Sequence, residues 1–128
     1  MANGVYKITE EFENQLSDYT GAPYVITVDN MSNALFLALF YEKNKKNSTE
    51  EYITIPSRTY PSVPCEIIHA GLKVKFEKTK GKTLKGAYPL KGSNVWDSTL
   101  RFTSNMYQPN THMCISFTGP YKHFKLSK

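Results

Sequence analysis

The chain has 128 residues, a formal charge of +5, 40% hydrophobic and 13% aromatic residues: enough for one domain with a buried core, and too apolar for a disordered chain. Its longest nearly apolar run, Ala34 to Tyr41, is far short of a bilayer span, and Met1 to Thr9 carries no basic-then-apolar export signal. Cys65 and Cys114 form no CxxC, so reduced thiols in a cytoplasm-like compartment are expected.

In chain order, Thr9 reads as a helix cap, with Glu10 and Glu11 in the first turn, where the helix dipole favours acids. Phe12, Leu16 and Tyr19 follow at helical spacing, and Gly21 reads as the stop. Tyr24–Val28 is β-rich and predicts a strand. After the polar turn Asp29–Asn33, the Ala- and Leu-rich run Ala34–Tyr41 predicts a buried helix. A lysine-rich connection leads to Tyr52–Ile55, a strand closed by Pro56.

Pro61 and Pro64 bracket a helix start, with Cys65–Ala70 as the helix and Gly71 as its end. Lys73–Phe76 predicts a third strand. Residues Glu77 to Asn94 read as loop with one short strand, and Val95–Trp96 and Met113–Phe117 as two further strands. Alternating helices and strands with short connections predict an α/β fold, a mainly parallel sheet with flanking helices. No second domain or internal repeat is visible.

In such sheets ligands sit beyond the carboxyl ends of the strands, which directs attention to Asp29–Asn33, Ser57–Tyr60, Asp97–Ser98 and Ser116–Lys122. Two tempting alternatives fail. Lys80-Gly81-Lys82-Thr83 lacks the upstream Gly of a P-loop, since Phe76 stands there, and His69, His112 and His123 have no metal-ligand spacing. The lysine-rich surface attracts phosphorylated small molecules as readily as nucleic acid; with two arginines and no arginine-rich helix, nucleic acid is disfavoured.

The strand ends carry complementary chemistry. Ser32 at a helix start suits an anion, or simply caps the helix. Tyr60 suits stacking on a planar group, or packing. Asp97 after Val95-Trp96 needs a cation or a hydrogen-bond donor. Lys122 suits Schiff-base chemistry if partly desolvated, and is otherwise a surface lysine. Together these are the parts a pyridoxal phosphate site needs: an anion cradle, a stacking ring, an acid and an amine.

The stretches Phe12–Leu16, Tyr24–Asp29, Ser32–Leu39, Ile53–Tyr60, Ile67–Gly71, Trp96-Asp97-Ser98 and Cys114–Phe117, in this order, resemble the DegT/DnrJ/StrS family of sugar aminotransferases. The resemblance implies the fold of type I pyridoxal-phosphate enzymes and transfer of an amino group from an amino acid, commonly glutamate, to a nucleotide-linked keto sugar. It places Met31 and Ser32 in the phosphate cradle and Tyr60 on the cofactor ring. Asp97 falls at the pyridine nitrogen, Ser116 at a phosphate-binding position, and Lys122 at the Schiff-base position. Members commonly carry Gly where Met31 stands. The spacing from Ser116 to Lys122 is one residue longer than usual, so Lys125 is the alternative amine.

His123 beside Lys122 keeps a sugar dehydratase of the same family as the runner-up, since those members carry His at the lysine position. A non-catalytic, truncated binding module is the competing class. Family members continue past the lysine into a Gly-Gly strand and a small C-terminal domain. Residues 1–128 are therefore expected to be the N-terminal part of the large domain, inactive alone, with the C-terminal half on a separate chain or a further segment, and a homodimer when complete. A cytoplasmic protein with no membrane partner is expected.

Overall fold

In a computed structural model of the protein, residues 6–46, 49–78 and 86–117 are described. Helix α1 spans Lys7–Thr20. It starts after Tyr6, which makes no side-chain cap, so Thr9 lies inside the helix instead of capping it. Gly21 ends it with φ +81°, a left-handed conformation that favours glycine.

The strand expected at Tyr24–Val28 does not form. The segment has no regular structure, and Tyr24 and Ile26 are 88% and 83% exposed. Its β propensity finds no strand to pair with among the described residues; Thr27 instead donates from its amide and hydroxyl to Glu13 Oε1 of α1, at 3.0 and 2.8 Å.

Helix α2 spans Met31–Tyr41 and continues into a π-helical turn at Glu42–Lys46. Its cap is Asn30, whose side chain accepts from the Asn33 amide at 2.9 Å, so Ser32 does not cap it. Strand β1 is Tyr52–Pro56, helix α3 is Ser62–His69 and strand β2 is Lys73–Glu77. β1 and β2 pair in parallel, as a strand–helix–strand unit demands. Three short strands follow: β3 at Tyr88–Pro89, β4 at Val95–Asp97 and β5 at His112–Cys114. β5 stops at Cys114, short of the expected Phe117.

β3 runs antiparallel to β4, and β4 parallel to β5. An antiparallel bridge between Thr54 and Lys91 joins the two sheets, closed by a Thr54 amide bond to Lys91 O at 2.9 Å and the return bond at 3.0 Å. The chain through Tyr88–Lys91 is thus antiparallel to both its neighbours. It follows that β1 and β4 point the same way, and β1, β2, β4 and β5 end at one common edge. The short parallel sheet within a mixed helix–strand fold is compatible with part of an α/β aminotransferase domain.

The core is built from Leu35, Leu39, Ile53, Ile55, Val63, Ile67, Leu90 and Val95, all buried between α2, α3 and the strands. The alternation in Tyr52–Pro56 explains it: Ile53 and Ile55 point inward, while Tyr52 points to solvent. No helix among the described residues is long and apolar enough to cross a membrane.

Candidate functional site

The direction of α2 follows from its far end. Glu42, fully buried, accepts from Asn94 Nδ2 at 3.3 Å and lies 2.9 Å from His112 Nε2. Asn94 precedes β4 and His112 opens β5, so α2 ends at the amino edge of these strands. Because α2 packs against β4 and β5, its N-terminus points to their carboxyl edge. Asn30 satisfies the Asn33 amide, which leaves the Met31 and Ser32 amides as the first-turn donors with no hydrogen bond to a described residue. The Met31 side chain packs against the core, so its backbone is what it can offer an anion. The neighbouring Asp29 carboxylate accepts from Asn33 Nδ2 at 2.7 Å.

At the same carboxyl edge lies a chain of hydrogen bonds. Asp97 ends β4 and is 5% exposed. Its Oδ1 accepts from the Thr99 amide at 3.0 Å and the Thr99 hydroxyl at 2.5 Å, an Asx turn closing the strand. Its Oδ2 accepts from Tyr88 Oη at 2.8 Å. Tyr88 Oη lies 2.5 Å from Thr59 Oγ1. A phenol has one proton and Tyr88 gives it to Asp97, so Thr59 is the donor in that pair.

Thr59 precedes Tyr60, whose ring is 75% exposed. Tyr60 and Asp97 are therefore tied to one another through Thr59 and Tyr88. The chain also reaches β5: Ser98 donates its amide to Cys114 O at 2.8 Å, and Ser116 lies two residues beyond Cys114. Burial, with a smaller contribution from the Asp97 charge, pushes the Cys114 thiol up to about 12. Burial, then the Asp97 charge, likewise raises the Tyr88 phenol well above its usual range.

The expected site residues thus divide into two groups. Asp97, Tyr60, Ser116 and the Met31–Ser32 helix start all belong to one edge of the sheet. Lys122, Lys125 and His123 lie outside the described residues, as does Lys80–Thr83. The sequence reading covered Thr59 and Ser98 within the stretches Ser57–Tyr60 and Asp97–Ser98 but gave them no role, and it missed Tyr88 and Thr99. The spacing Asp97-Ser98-Thr99 carried the Asx-turn signal for Thr99, but a two-residue strand at Tyr88 leaves no periodic pattern. A separate cavity of about 330 Å³, lined by Glu13, Asn14, Ser17 and Pro23–Ile26, lies against α1 and not at this edge.

The donor set fits the pyridine end of pyridoxal phosphate. A carboxylate offers about four acceptor positions; among the described residues Tyr88 and Thr99 use three, leaving one on Oδ2 for a ring N–H. Ser98 Oγ is fully buried and makes no hydrogen bond to a described residue, a polar atom left over at the same edge.

No curated protein and no solved structure matches the chain. A family model does: the DegT/DnrJ/EryC1/StrS aminotransferase family matches residues 2–86, which include Met31, Ser32, Thr59 and Tyr60 and end before Asp97. That match spans well over half of the sequence, and the chain belongs to the DegT/DnrJ/EryC1/StrS aminotransferase family.

Proposed function

We propose that the chain is the N-terminal part of the large domain of a pyridoxal-phosphate-dependent aminotransferase, taking an amino group from an amino acid such as glutamate to a nucleotide-linked keto sugar. The observation that carries this reading is Asp97: a buried carboxylate at the carboxyl edge, held on both oxygens and tied through Tyr88 and Thr59 to the exposed Tyr60. Family membership supports the same chemistry.

When bound, pyridoxal phosphate supplies an aldehyde that takes up amino groups and a ring that accepts electrons. Asp97 Oδ2 would hold the ring nitrogen and keep a proton there. Tyr60 would cover the ring face. The Met31 and Ser32 amides and Ser116 would take the phosphate, favoured by the positive end of the α2 dipole. The Lys122 amine would hold the aldehyde carbon and would move the proton as general acid and base. Exposed apolar residues on several elements (Ile26, Leu37, Phe40 and Phe76) offer surface for the remaining domain and for the partner subunit of a homodimer.

The test is a titration of the full chain with pyridoxal phosphate, followed by visible absorbance. Saturable binding with a band shifted from that of the free cofactor is expected, weakened at least tenfold by Asp97→Ala. Absence of saturable binding, or binding indifferent to Asp97, overturns the reading.

A further inference from the structure

Asp97 is the acid that a cofactor nitrogen requires, but nothing in a three-residue strand fixes which way a carboxylate turns. Two neighbours do that here. Thr99 grips Oδ1 from within the same turn, and Tyr88 grips Oδ2 from the adjacent strand. Tyr88 and Asp97 are directly opposed in the β3–β4 register, so their side chains share one face of the sheet. Tyr88 also hydrogen-bonds both to the acid and, through Thr59, to the loop leading to Tyr60.

We propose that Tyr88 is a positioning residue of the cofactor site, a strut that sets the direction of the Asp97 carboxylate and locks it to the Thr59–Tyr60 loop. This rests on the function proposed above. The phenol suits the task because burial keeps it protonated well above neutral pH, so it remains a donor to Asp97 throughout the working range. Its ring spans the distance from β3 to the loop, which a Ser or Thr at this position would not. Tyr88→Phe keeps the ring and removes both hydrogen bonds. Thr59→Val removes the loop contact alone.

The experiment is a double-mutant cycle on the full chain, using Tyr88→Phe, Asp97→Asn and the pair. It reads the pyridoxal phosphate dissociation constant, the thermal midpoint without cofactor and the absorbance band of the bound cofactor. If Tyr88 acts through Asp97, Tyr88→Phe weakens cofactor binding about five- to tenfold and shifts the band, and has no further effect once Asp97→Asn is present. Thr59→Val produces a smaller loss in the same direction. Tyr88→Phe binding like the wild type, or its loss adding in full to that of Asp97→Asn, overturns the strut while leaving the function intact. A wild-type chain that does not bind the cofactor overturns the proposed function, and the positioning role with it. A coupling that then survives in the thermal midpoint alone would make the Tyr88–Asp97 pair a structural bond.

Discussion

Tyr88 and Asp97 face one another across the β3–β4 pair, and the phenol donates to Asp97 Oδ2 at 2.8 Å. This bond ties the third strand, which is two residues long, to the carboxyl edge. Asp97 thus has a structural role in the fold. Asp97→Ala strands the Tyr88 and Thr99 donors and is expected to cost about 2–3 kcal/mol of stability. Asp97→Asn keeps an oxygen acceptor and is expected to cost about half as much. Thermal or urea unfolding of the two variants measures the difference; equal costs would contradict it.

Glu42 and His112 form the counterpart at the opposite edge. The carboxylate is fully buried, and His112 Nε2 lies 2.9 Å away, with the Tyr41 ring edge-on to the imidazole. His112→Ala removes that partner from a buried carboxyl group. The expected cost is about 1–3 kcal/mol, below that of a fully buried pair because His112 is partly exposed. Glu42→Gln combined with His112→Ala should recover part of the loss, which a double-mutant unfolding cycle would reveal.

Gly86 adopts φ +81°, and a Cβ there would press into the Leu100 carbonyl. The same two residues are linked by the Leu100 amide bonded to Gly86 O at 3.2 Å. Gly86→Ala is therefore expected to cost about 1–3 kcal/mol and to displace the segment entering β3, loosening Tyr88. Unfolding gives the first quantity, and cofactor affinity the second. Unchanged stability would show that the backbone relaxes freely at this turn.

The cysteines differ in burial, Cys65 exposed and Cys114 buried. At neutral pH a thiol reagent should label Cys65 in the folded chain and Cys114 only on unfolding. The Cys114 thiol is raised from 9.0 to about 12 in the fold, so between those values the unfolded chain loses the proton first. Stability is then full below pH 9 and falls as pH rises towards 12. The raised Tyr88 phenol acts in the same direction. Cys114→Ala should flatten part of this alkaline slope, and pH-dependent denaturation would show it.

Much of this architecture was legible in the sequence. The Ala- and Leu-rich helix, the Ile53/Ile55 strand, the Pro-bracketed α3 and the strand–helix–strand pairing follow from local pattern. The Asp97 position was legible as an acid after the apolar pair Val95-Trp96, and the family resemblance pointed to the stretches that lie at the carboxyl edge. Three things were not. Tyr24–Val28 has strand propensity but no strand to pair with among the described residues, and propensity alone cannot supply one. Asn30 took the cap from Ser32, because both types cap well and only the register decides. Tyr88 was invisible because its importance lies in a cross-strand contact nine residues away in sequence, with no periodicity to mark it.

The most direct test of the central claim is borohydride reduction of the full chain with pyridoxal phosphate, followed by mapping of the modified peptide. The account predicts one stoichiometric cofactor mass, fixed on Lys122 and reduced by Asp97→Ala. No incorporation, or incorporation spread evenly over the surface lysines, would contradict it.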